Sequence, residues 1–180
     1  MRFEADVMNN PRDDLHTSGG LCHTSGSGKV IIAVWKGTGE DEFAHKLVHE
    51  TSHGFVWRYL SNMPLPAWLN EGMADWIAEY IVKTPGLLTK RQQRAASAAQ
   101  QSGTLGGLFQ MERVSHEYFG AASAVVDILL KTDSEKFRAF FDGIKSGLEP
   151  EEALDRAYGM TFEQLAQLYG RTIGMPNLKP

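Results

Sequence analysis

The stretch His49-Glu50-Thr51-Ser52-His53 combines residue types and a spacing that point directly to chemistry. On an α-helix, side chains four residues apart lie one above the other on a single face. Both imidazoles can then close on one cation. Glu50, rotated about 100° from His49, is left to face a water molecule beside that cation. Two imidazoles do not complete such a centre, because a zinc ion that does chemistry takes three protein ligands and keeps a fourth position open. Glu71 is the candidate for the third ligand, although taken alone it reads equally well as a first-turn acid complementing the dipole of its own helix. It lies in Trp68-Leu69-Asn70-Glu71-Gly72-Met73-Ala74-Asp75-Trp76, which follows the first stretch across the proline-rich break Asn62-Met63-Pro64-Leu65-Pro66. Helices joined that tightly pack as neighbours, so a carboxylate near the start of the second can face the first. Asp75, one turn after Glu71, shares its face and is placed to accept the other ring proton of His49, a common arrangement for metal-bound histidine. The alternative for Asp75 is a plain surface aspartate. One zinc ion per chain, held by His49, His53 and Glu71, is therefore the expected cofactor.

These side chains need rigid elements beneath them. Thr38-Gly39-Glu40-Asp41 predicts a helix start, with Thr38 as cap and acidic residues at the positive end of the dipole. Phe43, Leu47, Phe55, Val56 and Leu60 recur at helical spacing to about Ser61, which puts both histidines in mid-helix. A second helix is expected from about Pro66 to Val82, ended by Thr84-Pro85-Gly86. Upstream, Val30-Ile31-Ile32-Ala33-Val34-Trp35 is β-branched and apolar. With a short strand at Gly19 to His23 it predicts a hairpin or a small sheet, after an irregular Met1 to Ser18.

Downstream, helices are expected over Thr89 to Gln101, over Ser115 to Lys131 with Ser115 as cap, and from an Asp133 cap to Gly147. Two more follow, from Glu149-Pro150 to Tyr158, and from the capping box Thr161-Phe162-Glu163-Gln164 to about Tyr169. Trp68 and Trp76 read as core. The fold class is α+β, mostly helical, in a single domain over 1–180.

Composition narrows the rest. Hydrophobic residues at 42% can build a core, and a net charge of −4 argues against a nucleic-acid partner, which calls for a basic surface. The small basic group Lys90-Arg91 and Arg94 reads as a solvated helix face. A single cysteine, Cys22, precludes an intramolecular disulfide, and its neighbour His23 diverges from it on a strand, so the two do not form a nucleophile and base pair. The longest apolar run, Val30 to Trp35, is far short of the roughly 20 residues needed to span a bilayer. Met1 to Asn10 lacks the apolar segment of a secretory leader, making a cytoplasmic location the default expectation for the chain as given.

The pair His49-Glu50-Thr51-Ser52-His53 and Trp68-Leu69-Asn70-Glu71-Gly72-Met73-Ala74-Asp75 resembles the gluzincin zinc metallopeptidases, and most of all their short bacterial "peptidase MA-like" domains. Tyr118-Phe119-Gly120-Ala121-Ala122-Ser123 is similar to the next helix of that family, and Asp155 to Leu165 to its C-terminal tail. Met73 stands where leucine is commoner. The resemblance implies a zincin-type helical domain and a hydrolase that cleaves peptide or protein substrates with Glu50 as general base. It also implies an oxyanion donor from a later helix, Tyr118, with His116 as the alternate. Finally, it implies that Val30, Ile31, Ile32, Ala33, Val34 and Trp35 form an edge strand pairing with the extended substrate, although an inner strand of a small sheet would read the same way. Two other functions fit the same residues: an inactive zinc-binding or peptide-binding module, and a zinc hydrolase acting on non-peptide amides or esters.

Overall fold

The computed structural model describes residues 20–24, 29–34, 40–83 and 86–180. Two strands come first, β1 (Gly20–Thr24) and β2 (Val30–Val34). Seven helices follow: α1 (Glu40–Arg58), α2 (Ala67–Val82), α3 (Leu87–Ser102), α4 (Phe119–Thr132), α5 (Ser134–Lys145), α6 (Pro150–Tyr158) and α7 (Phe162–Thr172). A single 3-10 turn, Leu108–Gln110, lies between α3 and α4. The described residues are thus α+β and mostly helical. No helix among them is long and apolar enough to cross a membrane. The expectations for Met1 to Ser18, Trp35, Thr38 and Thr84-Pro85 fall outside the described residues.

The strands pair antiparallel, with Gly20 opposite Val34 and Cys22 opposite Ile32. Among the described residues they form a two-stranded sheet, so each is an edge. Both lie against α1. Gly54 on α1 permits that approach, since a Cβ there would stand 2.8 Å from Val30 Cγ1.

α2 and α4 form the centre of the helical part, each packed on the other, with α1 against α2 and α3 against α4. Trp68 at the start of α2 is wholly buried, with the rings of Phe109, Phe140 and Phe162 around it at centroid distances of 5.3, 6.3 and 6.3 Å. Burial of an aromatic this size makes it the anchor of the helix that carries Glu71. Gly72 sets how closely α2 meets α4, because a Cβ there would lie 2.6 Å from the carbonyl oxygen of Ala122. Trp76 is half-buried, stacks on Tyr80 and donates its indole N–H to Asp127 Oδ1 at 3.1 Å. The turn from α1 to α2 is fastened from a distance. Lys145, 2% exposed, donates from Nζ to the Met63 carbonyl at 2.7 Å, and Ser61 Oγ donates to the Lys145 carbonyl at 2.5 Å.

The sequence left open which face of α1 is buried. Leu47, Phe55 and Leu60 are exposed, the last two by 67% and 64%, while His45, Glu50, Ser52, Gly54 and Val56 are buried. This helix turns a polar side and its small residues inward. Two expected helix ends need correction. α1 stops at Arg58 and not near Ser61, and Leu60 adopts a left-handed φ of 57°. Lastly, α4 begins at Phe119, not Ser115. Ser115–Tyr118 is a turn closed by the Tyr118 N–H on the Ser115 carbonyl at 2.9 Å, and it delivers the Tyr118 ring into the core.

Elsewhere local chemistry decides the boundaries as expected. Asp133 accepts from the N–H groups of Glu135 and Lys136 at 3.0 Å each. Gly159 ends α6 at φ 67°, and the Thr161–Gln164 capping box opens α7.

Candidate metal centre

α1 brings His49 and His53 to its α2-facing side, and the tight turn after α1 sets the first turns of α2 opposite them. His49 Nε2 lies 3.2 Å from His53 Nε2 and 3.3 Å from Glu71 Oε2, and His53 Nε2 lies 3.7 Å from the same carboxylate oxygen. Among the described residues, His49, His53 and Glu71 form the only group of three or more potential ligands close enough to share an ion.

The spacing can be tested against a metal. Zinc bonds of about 2.0–2.2 Å to nitrogen and oxygen, at tetrahedral angles, separate neighbouring donors by ~3.3 Å. Two of the three edges match that value and the third exceeds it slightly. The donor set, two imidazoles and a carboxylate, also suits zinc chemically.

Electrostatics point the same way. Asp75, only 1% exposed, takes the Nδ1–H of His49 on Oδ1 at 2.9 Å. That fixes the tautomer and turns the Nε2 lone pair towards His53 and Glu71. Three electron-rich atoms this close call for a cation or a proton among them. Burial opposes a proton on His49, but the hydrogen bonds to Asp75 and Glu71 outweigh it and hold the ring up to about 10. A divalent ion would take that proton's place. His53 is held below its ordinary value by burial, with Glu71 opposing. Burial also raises Asp75, but His49 and Arg91 outweigh it and keep the carboxyl below the usual range.

Glu50 is 8% exposed and lies under the hairpin. A Cβ on Gly20 would sit 2.5 Å from Glu50 Oε1, so any larger residue there would push this carboxylate from its place beneath β1. Burial pushes Glu50 up to about 7. The charge of His49 opposes the rise, that of Glu71 adds to it, and the Cys22 backbone N–H resists it. A carboxyl poised near 7 can both accept and return a proton at neutral pH.

The sequence singled out His49, Glu50, His53, Glu71 and Asp75, and the structure brings them into one corner. Tyr118 is buried, with its hydroxyl where a Cβ on Gly106 would come within 2.9 Å, and it belongs to the core cluster. His116 is exposed, and its Nδ1 is 2.8 Å from Arg94 Nη1. Among the described residues, neither is hydrogen-bonded or ion-paired to His49, His53 or Glu71.

Three participants were not foreseen. Arg91, expected on a solvated face, pairs with buried Asp75 at 2.6 Å. His45, one turn before His49, is buried and held near 4, by burial first, with Asp75 opposing. Gly20 houses Glu50. The spacing of His45 from His49 was visible as another i, i+4 step, whereas the other two arise from contacts between distant segments. Comparison of the chain with protein-family models, with curated proteins and with solved structures found no match.

Proposed function

We propose that the protein is a zinc-dependent metallopeptidase of the gluzincin type, hydrolysing peptide bonds in peptide or protein substrates. The observation that carries this reading is the triangle of His49 Nε2, His53 Nε2 and Glu71 Oε2, with its edges of 3.2, 3.3 and 3.7 Å. Beside it sits a carboxyl, Glu50, that is not one of the three donors. A zinc ion in that triangle would supply Lewis acidity, making a water nucleophilic near neutral pH and polarising the scissile carbonyl.

The chain does the rest. His49, His53 and Glu71 hold the ion, and Asp75 orients His49 through its Nδ1–H. Glu50 accepts a proton at its carboxylate from the attacking water and delivers it to the departing amine. The hairpin keeps bulk water from Glu50, and β2, an edge strand among the described residues, can add an extended peptide by strand pairing. An oxyanion donor at Tyr118 or His116 is carried by the resemblance alone.

A base beside the ligands favours catalysis over a purely structural zinc, which takes four ligands and no base. The test is a quenched-peptide library assayed with and without chelator on the wild type and Glu50→Gln. The wild type should cleave in a zinc-dependent way. The glutamine variant should keep full zinc and lose at least about a thousandfold in rate. Zinc bound in full with no peptide cleaved overturns the peptidase reading; cleavage retained by Glu50→Gln overturns the role of Glu50.

A further inference from the structure

We infer that Arg91 is a positioning residue for this centre: through Asp75 it fixes the ring of His49. The inference rests on the metal-centre reading above.

Asp75 lies on α2, and its Oδ1 accepts from two other helices at once. His49 Nδ1 donates to it from α1 at 2.9 Å, and Arg91 Nη1 donates to it from α3 at 2.6 Å. Its other oxygen, Oδ2, is buried with no hydrogen-bond partner. The whole carboxylate therefore hangs on one atom. A buried carboxylate with a single donor could turn about its Cβ–Cγ bond and offer His49 either oxygen, or neither squarely. The second donor removes that freedom. Arg91 makes the shorter of the two bonds and carries the charge that compensates Asp75 in a buried setting.

Arg91 is itself well seated. Gly120 of α4 approaches its backbone so closely that a Cβ there would collide with the Arg91 carbonyl. A line of contacts thus runs from α4 to Arg91, Asp75 and the His49 ring, at the nitrogen opposite Nε2. The Arg91 side chain is about one-third exposed, so an uncharged side chain of similar length can replace it without emptying the core.

The experiment compares the wild type, Arg91→Met, Arg91→Lys, Asp75→Asn and the double variant Asp75→Asn with Arg91→Met. Zinc affinity is read by competition with a chromophoric chelator. In the metal-free, 15N-labelled protein, exchange of the His49 Nδ1 proton is read by NMR. Arg91→Met should weaken zinc by about 10-fold, the lower end for partners outside the ligand set, and speed exchange of the His49 proton. Arg91→Lys should recover most of both, since an ammonium can still donate to Oδ1. Added to Asp75→Asn, Arg91→Met should cost less than about twofold more, because its route to His49 is already cut.

Unchanged zinc affinity and an unchanged His49 proton in Arg91→Met overturn the inference. So does full additivity in the Asp75→Asn background, the mark of a merely structural arginine. If Arg91→Met does not fold, Arg91→Gln takes its place in the same comparison. If the wild type takes up no zinc, the metal-centre reading falls by itself. The inference about Arg91 is then decided by the His49 proton alone: loss in Arg91→Met with recovery in Arg91→Lys supports it, and no change overturns it.

Discussion

Replacing Glu50 by glutamine should make the metal-free protein more stable at pH 8, although the same change removes the proposed base. The folded state holds this carboxyl at about 7 against an ordinary value of 4.5, chiefly because the hairpin and α1 bury it. At about 1.4 kcal/mol per pH unit, ionising it inside the fold costs up to ~3.4 kcal/mol. Residual solvent screens part of this, and about 2 kcal/mol is the working figure. The sign follows from proton binding. Below pH 4.5 both states hold the proton and nothing is lost; between 4.5 and 7 only the folded state holds it, so stability falls as pH rises. Glutamine has no such loss, keeps the shape beneath Gly20 and can still accept the Cys22 N–H. For a chain of this length, about 2 kcal/mol corresponds to a gain of roughly 4–8 °C in Tm. The assay is thermal unfolding by circular dichroism in chelator at pH 5 and pH 8. The gain should be about 1–2 °C at pH 5 and reach its full value at pH 8. Equal Tm values at pH 8, or a less stable glutamine variant, would refute the claim that Glu50 is buried against the hairpin.

Other outcomes follow from the same geometry. Glu71→Gln should weaken zinc binding more than Asp75→Asn, for which about 10- to 100-fold is expected, both read by chelator competition; equal affinity in Glu71→Gln and wild type would remove Glu71 from the ligand set. Zinc at a hundredfold excess over its Kd should stabilise the protein by about 2.7 kcal/mol, seen as a rise in Tm that chelator reverses. Gly72→Ala should cost about 1–3 kcal/mol in denaturant unfolding, because the new Cβ meets the Ala122 backbone, and it should loosen zinc with it. Trp68→Ala should cost about 3–5 kcal/mol, measured the same way.

What could be read from the sequence was what local spacing governs. His49 and His53 share a face because four residues make about one helical turn, and Glu71 with Asp75 repeats that step on the next helix. The short Pro64-Leu65-Pro66 link forces those helices together. Asp133, Gly159 and the Thr161 box could be read because caps are decided within four residues. What could not be read depends on segments that meet only in the fold. Arg91 finds Asp75 from a separate helix, and Gly20 finds Glu50 from a strand thirty positions upstream. The apolar spacing of α1 did not say which face is buried, for a related reason. Its buried side carries His45, Glu50, Ser52 and Gly54 and meets the hairpin, so Leu47, Phe55 and Leu60 mark the outside.

The α1–α2 turn has a consequence for the order in which the molecule assembles. His49, His53 and Glu71 all belong to one helix–turn–helix segment, so closing their triangle joins only near neighbours along the chain. Short loops close within roughly 10–100 ns and cost little entropy, whereas distant contacts come later. The fastening of that same turn is of the distant kind, since Lys145 reaches Met63 from the far end of α5. A zinc ion present during folding would therefore meet its three donors before Lys145 has locked the turn. It would then act as a nucleus on which α1 and α2 are paired early, and not as a late guest in a finished pocket. Refolding in the presence of zinc should accordingly be faster than in chelator, with the difference in the folding limb and not only in unfolding.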